Sequence, residues 1–416
     1  MSSPIAIPAS TSHEVAASSP SSSSLHGLQS PQMKVKALHP VENVDLRLLL
    51  LENISQEAVA AFRAQGFHVD HHTKAMSEDE LVEILPAYHA IGIRSKTKIT
   101  ARVVKAASKL LVIGCFCIGT NQVDLPAAAR AGVPVFNSPF SNSRSVAELV
   151  MGELSKGCWE VRGKTLGIVG YGHIGAQLSV LAEAFGIRVI FYDILNIMAL
   201  GSARQADFVT LHVPELPETI NMIAEPQLAL MKKGSYLINN SRGKVVDIPA
   251  LIDALKSKHL AGAAIDVFPS EPGPMLNAWA SALRAIPNVI LTPHIGGSTE
   301  EAQRLIGEEV ALALTRYLDY GSTVGAVNFP EVDLRAMTQE QDDHIRVCHV
   351  HKNQPGVLKQ VNDVLSPYNV EKQFSDSKGE VAYLMADIAD VSIEEISKLR
   401  ELISNTSANI LTRFLA

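Results

Sequence analysis

Short apolar runs alternate with amphipathic stretches along most of this chain. Residues 46–51 and 208–213 are apolar runs with the length of buried strands, whereas residues 142–154 and 174–185 carry apolar side chains at helical spacing. Repeated alternation of this kind predicts an α/β protein with doubly wound, Rossmann-like parallel sheets covered on both faces. Further strands are predicted over 90–94, 110–115, 133–136, 166–169, 189–192, Ser235–Asn239, 262–268 and Val289–Leu291.

Helix-start signals fall between these strands. Ser77 and Glu80 have capping-box spacing, and Asp247 is suited to cap a helix that carries Pro249 in its first turn. Residues 298–301 precede a long amphipathic helix that reaches about Tyr320. We therefore expect two strand–helix lobes with a cleft between them.

After residue 343 the order of elements changes. Strands are predicted over 344–350, 370–374, 381–386 and 409–415, with one helix after Gly356 and another capped by Ser392. This βαββαβ order predicts a small, separate C-terminal domain.

Composition narrows the class of protein. The chain has 416 residues and a net charge of −7, which gives no reason to expect nucleic acid or an anionic membrane as a partner. Its four cysteines form no CxxC pair, no apolar run is long enough to span a bilayer, and no metal site is expected. Residues 1–34, rich in Ser and Pro, lack a signal-peptide core. We expect a disordered tail there and a cytoplasmic location.

A glycine loop gives the first indication of chemistry. Gly170, Gly172 and Gly175 follow the strand 166–169 and open the helix 174–185, and Asp193 lies 18 residues after the last glycine, at the end of the next strand. In such a βαβ unit the glycines permit a tight turn beside a pyrophosphate, and the acid binds ribose hydroxyls. A carboxylate would repel a 2′-phosphate, so the loop predicts NAD as the cofactor.

Three polar residues follow later strands, where loops of a parallel sheet line a ligand crevice. These are Arg242, Glu271 and His294. Hydride transfer from a 2-hydroxy acid needs a base for the hydroxyl proton, a cation for the carboxylate, and a group that holds the base at a useful pKa. A histidine, an arginine and a carboxylate can supply these functions. Each could singly be an ordinary loop residue, but together behind a dinucleotide loop they predict a catalytic site.

These segments, with those around residues 91–95, 113–121 and 136–140, resemble the D-2-hydroxyacid dehydrogenase family, in the form that ends in an ACT domain. The resemblance implies oxidation of 3-phosphoglycerate to 3-phosphohydroxypyruvate, the entry step to serine, with reduction of 2-oxoglutarate as a side activity. It implies Arg242 as the substrate-carboxylate ligand, His294 as acid/base and Glu271 as its partner. It also implies substrate contacts at Arg94, Ser95 and Asn137, with Lys96 close by. Cofactor contacts are implied at Gly170, Gly172, His173, Ile174, Gly175, Asp193 and Asp266.

The resemblance extends to regulation and assembly. His351, Asn353 and Asn369 are implied ligands of L-serine as an inhibitor, which would act from a distance. A homo-oligomer, a tetramer, is implied as well. A dimerising domain without a ligand is the alternative, because a fold alone does not fix a ligand.

Four parts are expected along the chain. They are the tail over 1–34, a discontinuous substrate-binding domain over 35–136 and 297–338, the NAD-binding domain over 137–296 and the ACT domain over 339–416.

The chain departs from the family in two places. After Leu154 the family has a further helix and loop, whereas here residues 155–158 join almost directly to the glycine-loop strand. The crossover between Asp193 and Val209 is also short. Two alternatives therefore stay open beside the dehydrogenase: a catalytically impaired subunit that binds NAD or serine, and a dehydrogenase for another 2-hydroxy acid.

Overall fold

The first lobe is built on five parallel strands. We describe residues 45–154, 160–194, 204–269, 282–335 and 344–415 of a computed structural model. The strands of this sheet lie in the order β2-β1-β3-β4-β5. Their bounds are β1 Arg47–Leu50, β2 His68–His71, β3 Ala90–Ile93, β4 Val112–Cys115 and β5 Val135–Asn137.

Four helices connect these strands, and each begins at a residue whose side chain accepts a backbone N–H. The predicted capping box at Ser77 is present, with the Glu80 carboxylate returning to the Ser77 N–H at 2.7 Å. Such caps satisfy N–H groups that a helix leaves unpaired. The helices are α1 Gln56–Ala64, α2 Glu78–Ile84, α3 Ala101–Ala106 and α4 Leu125–Arg130.

The second lobe carries six parallel strands in the order β11-β10-β9-β8-β6-β7. Its strands are β6 Thr165–Val169, β7 Arg188–Tyr192, β8 Phe208–Leu211, β9 Ser235–Asn239, β10 Leu260–Ile265 and β11 Val289–Leu291. Its helices are α5 Ser143–Leu154, α6 His173–Ala184, α7 Glu225–Leu230 and α8 Ile248–Lys256. The two parallel sheets confirm the predicted fold class.

A long helix, α9 (Glu300–Tyr320), returns from the second lobe to the first. Its buried residues Ile306, Val310 and Leu314 belong to the same apolar core as Leu48 of β1. The N-cap is Thr299, one residue later than the first residue of the predicted signal, and Gly321 ends the helix in a left-handed conformation at φ 76°.

The C-terminal sheet is antiparallel, in the order β13-β14-β12-β15, with two helices on one face. Its other face packs on the first lobe, and the fully buried Arg346 binds Asp387 through Nε and Nη2 at 2.6 and 2.9 Å. The elements are β12 Ile345–Lys352, α10 Val357–Leu365, β13 Asn369–Lys378, β14 Val381–Ala389, α11 Ile393–Ser404 and β15 Asn409–Leu415.

Several predictions fall outside the described residues. These are the tail over 1–34, the shortened join at 155–158, the start of the crossover at 199–203, and Glu271. Among the helices that are described, none is both long enough and apolar enough to cross a membrane.

Candidate active site

The candidate residues follow the carboxyl ends of strands in both parallel sheets. In the first lobe Arg94 follows β3 and Asn137 ends β5, where the Asn137 amide donates to the Ile118 carbonyl at 2.6 Å. Loops at this edge of an open parallel sheet form the ligand crevice. In the second lobe the candidates at strand ends are Gly170, Asp193, Arg242, Asp266 and His294.

The glycine loop has the close approaches that a dinucleotide site requires. Gly170 adopts φ 92°, and a Cβ there would lie 2.5 Å from the His212 carbonyl oxygen. A Cβ on Gly175 would lie 2.4 Å from the Gly170 oxygen. Either substitution would separate the loop from its neighbours, because real Cβ atoms do not approach other atoms so closely.

The start of α6 is open to a ligand. Gly172 is its N-cap, makes no side-chain cap, and a Cβ there would meet nothing within 4 Å. The first-turn N–H groups, including those of His173 and Ile174, are the donors that a pyrophosphate at this helix start would meet. Asp193 accepts the Tyr171 N–H at 2.8 Å, which holds its carboxylate beside the loop. These residues fit NAD, which when bound accepts or supplies the hydride.

Asp266 organises the loop that carries His294. Its buried carboxylate accepts from the Thr292 hydroxyl at 2.5 Å and from the N–H groups of Ile295 and Gly296 at 2.8 and 3.0 Å. The His294 N–H donates to the Asp266 carbonyl at 2.9 Å, and His294 itself adopts φ 56°. A left-handed non-glycine residue is held only where its surroundings determine it, and such positions cluster at functional sites.

Asn239 fixes the backbone of the loop that carries Arg242. Its fully buried side chain accepts from the N–H and hydroxyl of Ser241 and donates to the Arg242 carbonyl at 3.0 Å. Gly243 lies so close to the next strand's loop that a Cβ would fall 1.9 Å from the Phe268 carbonyl carbon. The backbone around Arg242 is therefore fixed on both sides.

The guanidinium of Arg242, from the second lobe, reaches the loop after β4 in the first lobe. Burial raises the pKa of Cys117 to about 11, while the positive charges of Arg94 and Arg242 act to lower that pKa. A Cβ on Gly119 would lie 3.9 Å from Nη2 of Arg242, which places this guanidinium against the loop after β4. The Arg242 guanidinium is therefore placed where the two lobes meet and can bind an anionic ligand there.

Two polar residues that sequence analysis did not single out shape the Arg94 loop. The carboxylate of Glu52, 7% exposed, accepts the N–H groups of Arg94, Lys96 and Thr97 at 3.2, 2.8 and 2.7 Å. The Gln122 amide donates to the Arg94 carbonyl at 2.8 Å. No local signal could reveal these contacts, because they join residues more than 25 positions apart.

Glu271 lies outside the described residues, so the structure gives no geometry for it. Nor does it group three His, Cys, Asp or Glu side chains suited to a metal ion anywhere in the described ranges.

The three predicted serine ligands lie apart within one chain. His351 is buried and pairs across the sheet with Ala382 of β14, whereas Asn369 pairs with Ala389 at the other end of β14. Seven residues of strand span about 24 Å, at about 3.4 Å per residue. Asn353 lies near His351 and donates to the Gly379 carbonyl at 3.1 Å. One chain therefore does not bring the three together around a small ligand.

The fold and this cleft define an NAD-binding oxidoreductase, and comparisons with known proteins agree. Residues 141–296 match the family model for the NAD-binding domain of D-isomer specific 2-hydroxyacid dehydrogenases. D-3-phosphoglycerate dehydrogenase 2 of Saccharomyces cerevisiae is 54% identical over 420 residues, covering 91% of this chain and 90% of that protein. D-3-phosphoglycerate dehydrogenase of Escherichia coli is 49% identical over 391 residues, covering 85% and 94%.

A solved structure agrees as well. D-lactate dehydrogenase from Aquifex aeolicus, solved with NAD and lactic acid, has a TM-score of 0.57 and 26% identity. The match covers 65% of this chain and 95% of the Aquifex aeolicus chain. The chain belongs to the D-isomer specific 2-hydroxyacid dehydrogenase family.

The alignment with the yeast protein contains positions that this chain lacks. Its 420 positions exceed the roughly 379 residues that make up 91% of this 416-residue chain, so about 40 positions lie opposite gaps in this chain.

Proposed function

We propose that this protein oxidises 3-phosphoglycerate to 3-phosphohydroxypyruvate with NAD, the first step of serine synthesis. The observation that carries the proposal is the link between the Arg94 loop and Arg242: Gln122 donates to the carbonyl oxygens of Arg94 and Gly119 at 2.8 and 3.0 Å, and a Cβ on Gly119 would lie 3.9 Å from Nη2 of Arg242. A phosphorylated 2-hydroxy acid carries a phosphate at one end and a carboxylate at the other, and two separate cations suit it. The curated relatives described above bear the name of this activity.

Each residue then has a task. Arg242 holds the substrate carboxylate and the forming carbonyl, while Arg94, Ser95 and Asn137 bind the rest of the substrate. NAD held at the glycine loop would accept the C2 hydrogen as hydride, and His294 takes the hydroxyl proton. Glu271 is proposed to hold the protonated form of His294. We propose reduction of 2-oxoglutarate as a side activity.

The C-terminal domain is proposed to bind L-serine between two copies of the chain. Support comes from the separation of His351 and Asn369 along β14, since a ligand that touches both types of residue needs a second chain. The edge strand β13 is largely exposed and offers backbone groups for such pairing. We therefore propose a homo-oligomer, a tetramer, in the cytoplasm, inhibited by serine.

A second candidate rests on a specific observation, the roughly 40 missing positions. If the second lobe, which carries the glycine loop, cannot support turnover, the protein is an NAD- or serine-binding subunit. A dehydrogenase for another 2-hydroxy acid is the further alternative.

The test is NADH oxidation by purified protein with 3-phosphohydroxypyruvate, with and without L-serine, beside His294→Ala. We expect turnover that serine suppresses and that the substitution lowers by about 10²- to 10⁴-fold, the usual contribution of general acid–base catalysis. Folded protein that binds NADH without turnover would support the binding subunit. Equal turnover of hydroxypyruvate, which lacks the phosphate, would favour another substrate.

A further inference from the structure

A buried carboxylate lies beneath the loop that carries Arg94. Glu52 follows β1 at φ 65°, a conformation uncommon for a residue other than glycine. Its carboxylate accepts three backbone N–H groups, from Arg94, Lys96 and Thr97. Hydrogen bonds to a charged group in a buried place are among the stronger ones, so this contact fixes the loop.

The contact also decides what the loop can offer to a ligand. Successive N–H groups that point the same way form a nest that binds phosphate in many proteins. Here the nest already holds an anion, the Glu52 carboxylate. A phosphate must therefore be bound by the side chains of Arg94, Ser95 and Lys96, of which the last two are exposed and the first is half-buried.

The loop is held from its carbonyl side as well. Gln122 is buried, and its amide donates to the carbonyl oxygens of Arg94 and Gly119 at 2.8 and 3.0 Å. Because Gly119 lies beside the Arg242 guanidinium, Gln122 connects the Arg94 loop to the other cation of the cleft. Glu52 and Gln122 together set where Arg94 stands relative to Arg242.

We propose that Glu52 is a positioning residue that sets the preference for a phosphorylated substrate. It occupies the backbone nest and so places the Arg94–Lys96 side chains at the phosphate. The inference rests on the proposed function, which makes this loop the phosphate contact. It assigns no role to Glu52 in hydride or proton transfer.

The experiment compares Glu52→Gln with the wild-type enzyme on 3-phosphohydroxypyruvate and on hydroxypyruvate. Glutamine keeps the size but replaces one acceptor oxygen by an NH2 group, which faces backbone donors and displaces the loop. We expect KM for the phosphorylated substrate to rise by about 10- to 100-fold, the effect of one lost hydrogen bond to a charged group. We expect kcat to stay within about twofold and the constants for hydroxypyruvate to stay unchanged.

Glu57→Gln is the matched control, since it removes one exposed carboxylate from the same lobe. It should change neither substrate's constants. An equal effect of Glu52→Gln on both substrates, or none on either, would overturn the proposal.

Amide hydrogen exchange separates this proposal from the proposed function. In Glu52→Gln the amides of residues 94, 96 and 97 should exchange at least about tenfold faster, while those of β4 keep their wild-type rates. Unchanged exchange at 94–97 would overturn the positioning role whatever the enzyme turns over. Failure of the wild-type protein to reduce 3-phosphohydroxypyruvate, with exchange responding as expected, would instead overturn the proposed function and leave the role of Glu52 in the loop established.

Discussion

The two parallel sheets differ in how completely they are covered. The interior strands β3 and β4 of the first sheet and β6 and β8 of the second are fully buried, so the difference lies at the edges. The edge strands of the first sheet, β2 and β5, have one and two buried residues, whereas those of the second, β7 and β11, have none. The side chains of Phe191, Tyr236 and Ile290 pack against the core of their lobe but are only partly buried. The relatives carry about 40 positions that this chain lacks.

A cavity marks the uncovered face. It is small, about 20 Å³ in volume, partly open to solvent, and lies between the end of α5 and the strands β8 to β11. Yet the carboxyl edge of the same sheet is held by specific contacts. The glycine loop makes close backbone contacts there, and Asn239 and Asp266 form hydrogen bonds with the neighbouring loops. This difference indicates that local backbone contacts form the site, whereas the cover of the sheet governs the stability of the lobe.

Among the substitutions that bear on this comparison, Arg242→Ala has the largest expected effect, and it tests whether the less covered lobe still presents a working site. Arg242→Ala should lower kcat/KM for 3-phosphohydroxypyruvate by about 10²- to 10³-fold, because a fixed donor to the reacting group is lost. Arg242→Lys should recover only part of this, since lysine lacks the planar fork.

Lys244→Ala is the control, because Lys244 is two residues away and binds exposed Glu215 at 2.7 Å. It should leave kcat/KM unchanged. If Arg242→Ala matched the wild type, the second lobe would not supply the substrate cation, and the binding-subunit alternative would gain.

A pair of core substitutions compares a covered interior strand of the first sheet with the edge strand β11 of the second. Ile113, in the middle of β4, is fully buried, whereas Ile290, in the middle of β11, is half-buried. Ile113→Ala should lower the free energy of unfolding by about 2–5 kcal/mol. Ile290→Ala should cost about 1 kcal/mol, since only part of its apolar surface is removed from water.

Amide exchange within each sheet during urea titration reports the two lobes separately, which is needed because a protein of several domains need not unfold in one step. Equal costs at the two positions would mean that the second sheet is as well covered as the first, for instance by a second copy of the chain.

Much of this arrangement could be predicted from the sequence, because apolar strands and capping residues leave local patterns. The capping box at Ser77 and the βαβ unit around Gly170 are examples. Strand β2 could not be predicted, since an edge strand with His68, Asp70 and His71 has a single buried residue, Val69. The role of Glu52 is invisible for another reason: its partners lie 42 to 45 residues away and are backbone groups.

The last expected effect depends on pH and concerns Glu153, which lies in the last turn of α5 beside the cavity. Burial raises the pKa of its carboxyl to about 7 and the charge of Asp266 adds to this, although the Asn240 amide, which donates at 2.9 Å, acts to lower it. Between the ordinary value of 4.5 and about 7, the folded protein holds a proton that the unfolded chain has lost. The free energy of unfolding must therefore fall as pH rises through this window, by at most about 3 kcal/mol, and stay level above it.

Glu153→Gln removes this titration while keeping the shape and a partner for Asn240. The variant should match the wild type near pH 4.5 and exceed it in stability at pH 8, whereas the exposed control Glu57→Gln should follow the wild-type curve. Urea unfolding at several pH values, read by amide exchange in the second sheet, measures the effect. A wild-type curve that is level between pH 5 and 8 would show that water or a partner chain already solvates Glu153. In that case the face beside α5 would have more polar contacts than the cavity suggests. The contrast between the two lobes would then be smaller than the burial of their strands indicates.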